Sequence, residues 1–121
     1  MMSKEVKNIL IEKAQELAID PSFFYTQNIP QNVISTDSTM VLISEISSVF
    51  NNRASDVSTT KESSIEIQIF YRGNTDPDKT ELIMNQQLEK YSFYQYDSYP
   101  DTNPDTGFLT RTMKYKHTEV I

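Results

Sequence analysis

Cysteine is absent from this 121-residue chain, which excludes disulfides, thiol catalysis and Cys-ligated zinc. That composition fits a reducing compartment. Glycine occurs only as Gly73 and Gly107. A P-loop or a dinucleotide fingerprint needs several glycines for close phosphate approach, so neither is present. Histidine occurs once, as His117, in a polar alternation that reads as ordinary surface. No Ser, Asp and His stand in a recognisable hydrolase context. Glu62, Glu66 and Glu81 fall in different elements and read as solvated charges. No enzyme activity and no cofactor are expected. No apolar run reaches the roughly 18 residues of a membrane span. "MMSKEVKNILIEK" lacks the continuous apolar stretch of a signal peptide, so a soluble, unsecreted protein is expected.

Positive charge is also scarce. Eleven Lys and Arg stand against 17 Asp and Glu, a formal net charge of −6. A free-standing nucleic-acid binder draws much of its affinity from neutralising phosphates, so this balance argues against one. The same balance argues against docking on an anionic membrane. Arg111, Lys114, Lys116 and His117 form one local basic cluster near the end.

What is present suits one compact domain over residues 1–121. At 37% hydrophobic the chain has enough apolar side chains for a core. Folding a chain of this size buries on the order of two-thirds of its unfolded surface. Val6, Leu10, Ala14 and Leu17 recur at helical spacing, predicting a helix from Ser3 to Ile19 with Ser3 as its cap and Asp20-Pro21 as its stop. "SFFYTQNIPQN" reads as a loop whose aromatics lie over the core. Thr39 to Phe50 reads as a strand, apolar on both faces near its start. Asn51 to Ser64 is polar and aperiodic and reads as a long mobile loop. "SIEIQIFYR" alternates clearly and reads as a half-buried strand, with Arg72 at its end on the wetter face. Asp76, Pro77 and the acidic residues after them open a helix running to Tyr91, with Met84, Leu88 and Tyr91 on its apolar face. "SFYQYDSY" and "FLTRTMKYKHTEVI" read as two more strands. The expected fold is therefore α+β, a mostly antiparallel sheet with two helices packed on it, in the order α-β-β-α-β-β.

The segment "YPDTNPDTGF" joins the last two strands and tests for metal. Asp101, Asn103 and Asp105 alternate as in the start of an EF-hand loop. The sixth position is Thr106 rather than glycine, and the twelfth is Thr112 rather than a bidentate carboxylate. A turn shaped by Asp, Asn, Pro104 and Gly107 is the stronger reading. A small metal- or ligand-binding module stays as the lesser alternative.

Taken together, "IQIFY" (Ile67 to Tyr71), the acidic, proline-opened helix, the aromatic strand Phe93 to Tyr99, the "PDT" turn at Pro104 to Thr106 and the closing strand with Arg111 to Tyr115 resemble a known group. That group is the tail terminator, or tail completion, family of siphoviruses of Gram-positive, lactococcal-type hosts. The resemblance implies a small α+β subunit of the virion neck or tail, assembled in the host cytoplasm. It implies a homo-oligomeric ring, a hexamer, that stops growth of the tail tube. It also implies contacts with the major tail tube protein and the head–tail connector, with DNA only as passing cargo and no membrane. A head-completion or other neck protein is the alternative within the same particle. Charged residues on exposed segments are then the candidate assembly contacts: Arg53, Asp56 and Lys61 on the long loop, Arg72 at the strand end, and Asp101 and Asp105 on the turn.

Overall fold

The computed structural model describes residues 2–29, 38–73, 75–102 and 109–121. Its described elements are helix α1 (Met2–Ile11), short helix α2 (Ala14–Leu17), a 3-10 turn (Pro21–Phe23), and strands β1 (Phe24–Thr26), β2 (Met40–Ala54) and β3 (Val57–Phe70). Helix α3 (Pro77–Lys90) and strands β4 (Tyr94–Thr102) and β5 (Leu109–Val120) complete them. The strands form one sheet in the order β1-β2-β3-β5-β4. Every pairing is antiparallel except β1 with β2, which is parallel. The sheet is therefore mixed, and three helices accompany it instead of two.

The N-terminal periodicity is real, but it belongs to two helices. The chain leaves α1 at Ile11, and α2 closes on Ala18 in the left-handed region at φ 57°. The Ile19 amide then donates back to the Ala14 carbonyl at 3.1 Å, and Ile19 is buried. This hydrophobic C-terminal lock stops the helix before Asp20-Pro21 is reached. Asp20 instead caps the 3-10 turn, accepting from the Ser22 amide at 2.8 Å. Ser3 is not a cap. It lies inside α1, buried, and its Oγ accepts from Gln27 Nε2 at 3.0 Å.

Helix α3 starts where its sequence says. Asp76 accepts from the Asp78 and Lys79 amides at 3.1 and 3.4 Å, and Pro77 takes the first helical position. Met84 and Leu88 are buried, whereas Tyr91 has turned outward at the C-cap and donates to Glu12 at 3.0 Å. Gln87 Nε2 donates to the Ile9 carbonyl (3.0 Å) and to Glu12 (2.7 Å), tying α3 to α1.

One face of the sheet carries the core. Val41 and Ile43 of β2, Ile65, Ile67 and Ile69 of β3, and Met113 and Tyr115 of β5 meet Val6, Leu10, Met84 and Leu88. Register explains the selection: Ile43 pairs Ile67, and Ile67 pairs Met113, so all three point to one side. Phe24 joins this core from β1, as its aromatic loop predicted. His117 is half-buried: its ring stacks on Phe93 at 4.3 Å, and Nδ1 lies 2.9 Å from the Ser92 carbonyl oxygen.

The largest departure concerns residues 51–64. They are not a loop. They form the outer half of a long hairpin in which Phe50 pairs Lys61, Arg53 pairs Ser58 and Ala54 pairs Val57. Ser55 and Asp56 close it with φ of 52° and 65°, the signs that a tight primed turn requires at both central positions.

Candidate functional site

The β2–β3 hairpin overhangs the helical layer. No residue from 44 to 64 belongs to the core cluster. At about 3.3 Å per residue, the stretch from Val57 to Ser64 extends roughly 25 Å. Beyond Glu45 every residue of β2 is exposed. Ile46 (48%), Val49 (54%), Phe50 (56%) and Val57 (66%) place large apolar surface on this arm. Among the described residues β5 pairs with it on one side, with Val120 opposite Thr60 and His117 opposite Ser63. Arg53 and Asp56 are exposed at its tip, and Lys61 Nζ stands 5.8 Å from the centre of the Phe50 ring.

The second surface is the sheet face turned away from the helices. A bulge between Gln95 and Asp97 shifts the register of β4, so Tyr94, Tyr96 and Tyr99 share this face despite their uneven spacing. All three are exposed. Lys116 stands 5.0 Å from the centre of the Tyr96 ring, and Lys114 5.6 Å from that of Tyr99. Tyr99 is also the main reason that Lys114 holds its proton more firmly than an ordinary lysine. Tyr96 and Ser64 share a 2.6 Å hydrogen bond across the sheet, and Lys116 meets Glu62 at 3.6 Å. Tyrosines with cations and carboxylates around them give contact area at low entropic cost, the composition of a protein-recognition surface. Sequence reading identified the aromatic strand but not its outward direction. The signal was the alternation of Tyr94 and Tyr96 opposite the lysines of β5.

Between α3 and the sheet lies a polar cluster that holds the fold. Arg111 Nε meets Glu81 at 3.2 Å, and Tyr71 donates to Glu81 at 2.7 Å. Burial, then Glu81, raises the Tyr71 phenol above its ordinary pKa. Tyr115 donates to Asn85 at 2.9 Å and accepts from Gln95 at 3.0 Å, and burial pushes its pKa up to about 12. Both phenols hold their protons in the folded state past the unfolded value near 10. Their stabilising contribution is complete below about pH 10; that of Tyr115 is lost as pH rises through about 12, and that of Tyr71 persists to higher pH. Thermal melts from pH 8 to 12 should therefore show stability falling above pH 10, and Tyr115→Phe should make that fall shallower. An equal fall in the variant would remove Tyr115 from the account.

Arg72 does not stand on the wet face. It is buried at 9% exposure, and burial lowers its pKa. Its guanidinium donates to the Tyr71 carbonyl at 2.8 Å, and its amide donates to Thr39 Oγ1 at 3.1 Å. Thr39 in turn lies 2.6 Å from Thr75. The cause is topological: the chain turns at Gly73 (φ 61°) to enter α3, folding residue 72 against the start of β2. A cleft of about 510 Å³ lies there, lined by Asp20, Thr39, Arg72, Asp76 and Lys79 among others. Of its three carboxylates, Asp20 and Asp76 are occupied as backbone caps and Glu16 pairs with Lys13 at 3.3 Å.

The candidate residues thus separate. Arg53, Asp56 and Lys61 lie together on the arm. Asp101 is exposed on β4 opposite Thr110, at the other end of the sheet, and accepts from the Thr102 amide at 2.8 Å. Asp105 and the turn at 103–108 lie outside the described residues. Among those described, no three His, Cys, Asp or Glu converge as a metal site.

A family described as "Protein of unknown function (DUF806)" matches residues 3–119. No curated protein matches the chain.

Proposed function

The chain belongs to that DUF806 family, and from its own residues and surfaces we propose that it is a structural protein of a siphovirus particle, a tail terminator. In this role copies form a ring, a hexamer, on the last turn of the tail tube, and the ring presents the surface that the head connector meets. The observation that carries the reading is the arm: a two-stranded projection with exposed Ile46, Val49, Phe50 and Val57, which a solitary protein has no reason to keep in water. The uncovered tyrosine face adds a second contact surface. The order strand, proline-opened helix, aromatic strand and closing strand, on which the resemblance rests, supports the reading too. A ring of subunits needs three surfaces: one for its neighbours, one for the tube and one for the connector. Net acidity lets a genome pass such a ring without adhering, since carboxylates repel phosphates.

The test is the mass of the purified protein alone and with tail tube protein. A ring in the presence of the tube protein is the expected result. A strict monomer that never joins the tube would sink the reading. Electron microscopy of a deletion phage separates it from a head-completion role: loss of a terminator gives overlong tails, whereas loss of head completion gives unstable filled heads on tails of normal length.

A further inference from the structure

The two long edges of the sheet are built differently. On one side β4 carries Asp97, Pro100, Asp101 and the bulge at Gln95/Asp97, devices that keep foreign strands away. On the other side β1 covers β2 only from Val41 to Ile43. From Ile46 to Ala54 β2 is exposed and has no strand on its outer side among the described residues. That stretch contains no proline and one charge, Arg53, and it displays Ile46, Val49 and Phe50. A bulge between Glu45 and Ser47 lies at the base of this edge and Asn52 has a positive φ of 51°, but a stretch of this length with no proline, a single charge and three exposed large apolar side chains is still a template for another strand.

We propose that this edge pairs antiparallel with the same edge of a second copy of the chain, across a two-fold axis near Phe50. Charge selects this arrangement. Glu45 and Arg53 stand at opposite ends of the free stretch, so antiparallel pairing brings the Arg53 end of each copy to the Glu45 end of the other. Parallel pairing would set like against like. Space selects it as well. β4 lines β5 up to the Tyr94–Lys116 pair. A neighbour's β2 laid parallel beside the free end of β5, His117 to Val120, would drive its own lower half into β4. Two overhanging arms laid antiparallel meet no such strand among the described residues, since β1 ends its pairing at Ile43. In this register Ile46 falls opposite Ala54, Val49 opposite Asn51, and Phe50 opposite itself. Such a contact is isologous and closes on two copies. It stands apart from the ring, whose contacts are head-to-tail, and does not depend on it.

The absence of cysteine makes the test clean. Ser48→Cys, Val49→Cys, Phe50→Cys and Asn51→Cys are prepared singly in the full chain, with Asp101→Cys on the protected edge as control. Residues facing each other across an antiparallel pair have Cα atoms about 4.5–5.5 Å apart, within the span of a disulfide. Under mild oxidation at micromolar protein, at least one position near Phe50 should give a covalent dimer in high yield, and Asp101→Cys should not. No dimer at any of the four positions, or equal yield at Asp101, overturns the pairing. Val49→Lys should leave the fold intact by circular dichroism and convert the dimer to a monomer by light scattering, with a melting temperature that no longer rises with protein concentration; an unchanged mass counts against it. A ring on tail tube protein without cross-linking removes this inference alone. Cross-linking without any tube contact removes the terminator reading alone.

Discussion

Ile67→Ala should destabilise the protein by about 2–5 kcal/mol and lower its melting temperature by on the order of 10 °C. Ile67 is fully buried in the middle of the sheet, and its direct neighbours across the strands are Ile43 and Met113. Truncation removes three carbons from a layer closed by the helices on one side and by the rigid spacing of strands on the other. The sheet cannot contract to fill the gap, because strand separation is set by backbone hydrogen bonds near 4.8 Å. Val49→Ala, one β-branched residue cut back on the exposed arm, is the matched control and should change stability by no more than about 0.5 kcal/mol. Urea unfolding of both variants checks the pair. Equal costs would mean that the arm, in solution, is as well packed as the core.

That contrast also explains what the sequence made legible. Ile65, Ile67, Ile69 and Tyr71 alternate with Glu66, Gln68 and Phe70 because the helices dry one face of β3 and leave the other open, and period two survives only under such asymmetry. Helix α3 was readable from Asp76-Pro77 for a local reason, since its first amides are satisfied within three residues. The arm was not readable. Its outer part is exposed on both faces and its base buries only serines, so "NNRASDVSTTKESS" has no apolar phase to detect, and its pairing is set by β5 from about 60 residues downstream (Thr60 with Val120). β1 is too short to carry a pattern, and its parallel pairing depends on where β2 begins. Arg72 was misplaced because strand alternation stops at Phe70, where the chain bends toward Gly73. At the candidate surfaces Arg53, Asp56 and Lys61 could be chosen from sequence as exposed charges, while the outward direction of Tyr99 on β4 depended on a bulge that no local rule signals.

Shortening the arm should abolish tail-length control while leaving the domain folded. The cut must stop short of Ser63 and Ser64, because both are buried and β3 there is the middle strand, holding His117 and Lys116 of β5. The hairpin is better closed between Phe50 and Lys61, which face each other. Asn51 to Thr60 is replaced by Asn-Gly, the pair that suits a two-residue turn with positive φ at both positions. The cut removes Arg53, Asp56 and Val57 and keeps every core contact. Val120 loses its partner Thr60, and the amide of Ile121 loses the Thr59 carbonyl, so the last residues of β5 fray. The melting temperature should stay within a few degrees, because fraying at an exposed terminus lies at the low end of local stability. In a phage carrying this allele, the terminator reading gives overlong tails or free polytubes and few infectious particles. Normal tails at normal titre would mean that the arm has no part in assembly. The exposed Ile46, Val49 and Phe50 would then have to answer to another partner, and the shortened protein, which keeps all three, would still bind it.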